Sequence, residues 1–140
     1  MKQVSENLEA RYRIMLVIWV AMVVSVGALF AITKFMPMPE NKNNTAIVLM
    51  LSAVALFELA LSFILKKRFL DQAIAKQDPV LVQTAMIIAV ALCEAICLFG
   101  LVSFFAFASP YYYVFFILGG LGMLLHFPKR SHLHDTAYKR

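Results

Sequence analysis

The chain has 140 residues, of which 62% are hydrophobic and only 15% charged, with a mean hydropathy of +0.79 and a net charge of +5. An ordinary soluble domain carries about a quarter charged residues, so the composition excludes that class. Four apolar runs account for the excess, at about 14–33, 45–65, 86–107 and 111–127, and runs of about 17–25 residues suffice to cross roughly 30 Å of hydrocarbon. The expected fold class is therefore an all-α integral membrane protein. It comprises one domain of four transmembrane helices, a short tail over 128–140, and the lipid bilayer as its first partner.

The excess positive charge is a topology signal. With four spans and a cytoplasmic N-terminus, Lys2, Arg11, Arg13, Lys66, Lys67, Arg68, Lys76, Lys129, Arg130, Lys139 and Arg140 fall inside, and only Lys34 and Lys42 fall outside. That distribution follows the positive-inside rule and needs no nucleic-acid partner. It implies a multi-pass protein with both termini cytoplasmic, expected in a bacterial inner membrane.

Along the chain, residues 1–13 are polar, with Ser5 in position to cap a helix ahead of Glu6 and Glu9. This segment reads as a short surface helix running into the first span. That span, about Ile14 to Thr33, contains Trp19. The acid-containing leader and long apolar run favour a retained helix over a cleaved signal peptide, although Val26-Gly27-Ala28 offers a weak cleavage site. The prolines and asparagines of Met36 to Asn44 mark an outside loop.

The second span stops at Lys66-Lys67-Arg68, but Phe69 to Ala75 contains no breaker, so the helix is expected to continue to a polar turn. There Asp78 fits an N-cap and Pro79 the first helical position of a third helix reaching about Ala108. The two helices form a central antiparallel hairpin with a cytoplasmic turn. Each carries an acid in an apolar setting, Glu58 and Glu94, and the midpoint between these positions is residue 76, at the turn. Equal helical arms would bring the two carboxyls to one height.

An acid in hydrocarbon costs on the order of 2.5–3.5 kcal/mol on insertion scales, so such residues tend to be functional. Hydrocarbon disfavours the charged form, which suits a carboxyl to taking up and releasing a proton. Glu94 is expected to be the main proton-binding residue and Glu58 the second. Ser62, one turn from Glu58, and Gln83, on the face of Glu94, are supporting groups. The alternative is that both acids are neutral and only fix helix packing.

Cys93 and Cys97, spaced i and i+4, read as small apolar packing residues, because a disulfide between them would strain the helix. Ser109-Pro110 closes the third span, and Tyr111-Tyr112-Tyr113 reads as an aromatic belt at headgroup level. The fourth span contains Gly119, Gly120 and Gly122, a face for close helix packing. His126, His132, His134 and Asp135 are assigned to a solvated tail, with no metal site and no cofactor expected.

Residues 73–102 resemble the proteolipid (c) subunit of rotary ATP synthases. Ala75-Lys76-Gln77-Asp78-Pro79 looks like that family's polar loop. Glu94 falls on its ion-binding acid, Phe99 on an aromatic, and Gly100-Leu101-Val102 on the trailing motif. The chain adds a helix on either side of the hairpin.

The resemblance implies a proton-binding membrane subunit of a homo-oligomer or a larger membrane complex. Two other functions are weighed: a non-catalytic accessory subunit of such a complex, and a small proton-coupled transporter. No nucleophile–base pair or phosphate-binding loop stands out, so no enzyme activity is expected. Cysteine labelling should place residues 1–13, 66–78 and 128–140 on one side of the membrane and 36–44 on the other. Labelling of the Lys66–Arg68 segment from the same side as 36–44 would overturn this topology.

Overall fold

The computed structural model describes residues 2–40 and 44–137, with side chains for 7–40 and 44–136. Its elements are α1 (Lys2–Phe35), α2 (Thr45–Lys76), α3 (Pro79–Phe105), α4 (Tyr112–Leu125) and α5 (Arg130–Ala137), with no strand among the described residues. Three helices, α1 to α3, are long and apolar enough to cross a membrane. The count becomes four if α4 and α5, bent by 48°, form one broken span.

Helix ends follow local chemistry. Asn44 caps α2 by accepting from the Ile47 amide at 3.4 Å. Gln77 ends that helix in the left-handed conformation, φ 52°, and the Asp78 amide reaches back to the Ala73 carbonyl at 3.0 Å. The Asp78 carboxylate then accepts from the Val80 amide at 2.9 Å, with Pro79 in the first turn of α3. The hairpin turn is thus a left-handed cap followed at once by an N-cap, which leaves no room for a longer loop.

α3 is the hub. It packs against α1, α2, α4 and α5, whereas α1 and α2 do not pack on one another. Its buried face runs through Val82, Met86, Val90, Cys93, Cys97 and Phe104. The helices present large apolar side chains outward, among them Val17, Val24, Leu49, Phe57, Leu121 and Leu125, as helices facing lipid tails do.

Several local expectations change. Ser5 lies inside α1, which begins at Lys2 and runs through the leader into the apolar stretch unbroken, so it is not the cap. Asn41, Lys42 and Asn43 of the loop lie outside the described residues. α3 ends at Phe105, short of Ala108, which takes a positive φ of 45°.

The tyrosine triplet splits. Tyr111 and Tyr113 are exposed, but Tyr112 turns inward onto Phe104, with ring centroids 4.9 Å apart. Nor are residues 130–136 a solvated tail. Leu133 and Thr136 of α5 are buried, and Arg130 lies 3.3 Å from Glu9 and over the Tyr12 ring, tying α5 to α1.

α4 approaches α3 closely because it presents glycines there. A Cβ on Gly119 would strike the Cys97 sulfur and come within 2.5 Å of the Cys93 carbonyl oxygen, and one on Gly122 would come within 2.7 Å of the Cys93 sulfur. Gly120, between them, faces open space. Gly119→Ala should therefore destabilise the fold by roughly 1–3 kcal/mol through overpacking against backbone. Gly120→Ala should be neutral or stabilising by up to about 1 kcal/mol from helix propensity. Thermal unfolding in detergent of the two variants reads this contrast, and equal midpoints would refute the close-packed seam.

Candidate functional site

Two groupings of polar side chains within the apolar helices bear on function. The first is set by Glu94 and Glu58. Gly122 touches both Leu59 of α2 and Cys93 of α3, and Ala55 packs with Ile96. Glu58 and Glu94, each next in the chain to one of the residues that Gly122 touches, therefore lie at a similar level of the hairpin.

They point to different neighbours. Glu94, half-buried, accepts a hydrogen bond at Oε1 from the Ser25 hydroxyl of α1, 2.9 Å away. Glu58, also half-buried, holds its Oε2 away from solvent with no hydrogen-bond partner among the described residues. No hydrogen bond joins the two carboxyls.

The second place lies one turn along α2 from Glu58. Ser62 does not bond Glu58. Its hydroxyl is 2.7 Å from the Leu59 carbonyl and 2.9 Å from His126 Nε2, and His126 Nδ1 is 3.4 Å from Lys66 Nζ. One proton arrangement satisfies all three contacts. The Lys66 ammonium donates to Nδ1, the imidazole donates from Nε2 to the Ser62 oxygen, and Ser62 donates to the Leu59 carbonyl. His126 and Ser62 are fully buried, and the Phe63 ring lies 4.4 Å from the imidazole. His126 is thus not part of a solvated tail. Its amide closes α4 by bonding the Gly122 and Met123 carbonyls at 3.1 Å, so it ends inside the bundle.

The other candidates are placed more simply. Gln83 is half-buried near the hairpin turn, far from Glu94 along α3. Cys93 and Cys97 are free and buried under α4. Among the described residues no group of three His, Cys, Asp or Glu side chains could hold a metal.

Reasoning from the sequence missed two participants, Ser25 and His126. Ser25 is the one serine in the apolar part of the first span, a signal of sorts. His126 sits at the end of an apolar run of only 14 helical residues, where its depth depends on how far α4 descends. Comparison of the chain with protein-family models, with curated proteins and with solved structures finds no match.

The His126 contacts carry a stability prediction. His126→Ala removes a buried ring and strands two polar partners, which should cost roughly 2–4 kcal/mol. Lys67→Ala, at an exposed neighbouring position, should stay within about 0.5 kcal/mol of the parent. Thermal or denaturant unfolding in detergent distinguishes them; a His126→Ala protein as stable as Lys67→Ala would show that the cluster does not hold α4 to α2.

Proposed function

We propose that this chain is a proton-binding integral membrane subunit working in an oligomer or a larger membrane complex, with Glu94 as the main proton carrier and Glu58 the second. The observation that carries this reading is the state of the two carboxyls. Both lie within apolar helices at a similar level, Glu94 with a single hydroxyl partner and Glu58 with an oxygen that has none. Polar groups kept only for packing are normally fully paired, because an unpaired one in hydrocarbon is costly. A carboxyl with few fixed partners retains the freedom to bind and release a proton. The hairpin's likeness to the proteolipid subunit supports the same assignment, with Glu94 on that family's acid.

On this reading α4 and α5 together make a fourth crossing. Both termini and the hairpin turn then face the cytoplasm of a bacterium, as the charge distribution suggests. The role is binding rather than catalysis.

A second reading, an accessory subunit whose acids are structural, is favoured by the Ser25–Glu94 hydrogen bond, since it links α1 to α3. One substitution separates the two. Glu94→Gln keeps the size and hydrogen-bonding capacity of the neutral acid. If Glu94 carries protons, the parent should react with a hydrophobic carbodiimide at residue 94 near neutral pH and show a carboxyl infrared band that titrates. Glu94→Gln should lose both while assembling normally. A parent with no titrating band and no label at 94 would end the carrier reading. A marked loss of stability in Ser25→Ala would then favour the structural one.

A further inference from the structure

The seam between α1 and α4 is open at the end of the bundle that carries Lys34. A cavity of about 520 Å³ lies there, lined by Val23, Val26, Gly27, Phe30 and Ile117, with Lys34 and Tyr113 in its wall. A smaller one of about 150 Å³ continues the seam past Val23 and Val26 to Gly120 and Leu124. Gly27 on α1 and Gly120 on α4 both face open space, with no atom within 4 Å of where a Cβ would stand. The seam is therefore left unfilled by two missing side chains, one from each helix.

Its dimensions and chemistry select an occupant. From Lys34 to Val23 is 11 residues of α1, or about 16 Å at the helical rise of about 1.5 Å. That is close to half of a hydrocarbon core of roughly 30 Å, the depth of one leaflet. The floor is aliphatic and aromatic, and the only charge on the lining is cationic. Lys34 is held beside it, its ammonium 5.1 Å from the Phe30 ring centre and 5.8 Å from that of Tyr112. It lies at the last turn of α1, where the apolar run gives way to the polar loop.

We propose that this groove binds one anionic phospholipid, with an acyl chain lying along Val23, Gly27 and Phe30 and the phosphate against Lys34. The groove opens to the bilayer, since Gly27 and Ile117 are exposed, so the ligand enters sideways from the leaflet. No conformational change is required. The site is separate from the carboxyls and does not depend on their role.

Native mass spectrometry of the purified chain with equal amounts of phosphatidylglycerol and phosphatidylcholine tests this. The parent should retain one phosphatidylglycerol, in about five-fold preference, the worth of a single lysine facing an anionic headgroup. Lys34→Gln should still retain one lipid but without headgroup preference. Gly27→Leu, which fills the groove from α1, should retain neither lipid above the level of stray contacts, and Ile117→Trp, at the α4 wall of the same groove, repeats the test should the first variant fold poorly. Gly27→Ala, too small to fill it, should behave as the parent. Equal retention of both lipids by the parent would overturn the headgroup assignment. Undiminished retention in folded Gly27→Leu and Ile117→Trp, or a lipid-free oligomer whose contacts cover the groove, would overturn the site.

Discussion

The contact on which the bundle depends is the approach of α4 to α3 at Gly119 and Gly122. Between helices in lipid there is no hydrophobic driving force, because lipid tails are as apolar as leucine. Association must come from dispersion at short range and from polar contacts. The two glycines let α4 settle until Cys93 and Cys97 fill the hollows they leave, so the thiols act as small, polarisable packing groups. α1 and α2 do not pack on one another, and each is held in the bundle through α3 and α4. The depth of α4 then decides what its C-terminal end meets. Fourteen residues rise only about 21 Å, and His126 therefore stops inside the bundle, level with Ser62 and Lys66.

Polar groups in the apolar region follow one rule with few exceptions. The Trp19 indole donates to the Met123 carbonyl at 2.9 Å, and Ser52, Ser62 and Thr33 each donate to a carbonyl three or four residues back. These satisfy themselves locally or tie α1 to α4, which is what hydrocarbon demands. Glu58 Oε2 and the Ser103 hydroxyl are the buried exceptions among the described residues. A hydroxyl can rotate toward a weak acceptor, whereas a carboxyl oxygen in that position asks for a proton or an incoming partner. That uncommitted oxygen sets Glu58 apart from the indole and the hydroxyls that donate to backbone carbonyls.

Much of the architecture was legible because it is local. Apolar length marked α1 to α3, and Asp78-Pro79 marked the turn, since capping depends on residues only two or three apart. The glycines of α4 announced a packing face, but not that Gly120 would be left out of it. That depends on the rotation of α4 about its axis, a tertiary quantity. α5 was missed for a related reason. Its sequence, Arg-Ser-His-Leu-His-Asp-Thr-Ala, is polar in composition, and of its described side chains only Leu133 and Thr136 are buried, three residues apart on one face. So short a stripe is indistinguishable from a solvated tail until a surface exists to receive it. Ser62 was read against its own helix, as a partner of Glu58, because i,i+4 spacing is visible in a sequence and a histidine 64 positions away is not.

The acids share one further property, which bears on how either could exchange a proton. One turn before Glu94 is Val90, fully buried, and one turn after it is Leu98, 46% exposed. For Glu58 the order is reversed: Val54 is 44% exposed and Ser62 is buried. Both carboxyls therefore stand at the margin between the packed interior and the outer surface of the bundle. A carboxyl at the centre of the bundle would need the helices to part before a proton could reach it, and one fully in lipid would have no polar group to hold it. At the margin, on the proposed reading, a carboxyl can exchange its proton with whatever covers the outer face without the helices parting. Leu98 and Val54 leave that outer face open to whatever surrounds the bundle. On the proposed reading the covering subunit would supply the donor or acceptor that a lone bundle lacks, which accounts for an unpartnered acid being retained at such a position.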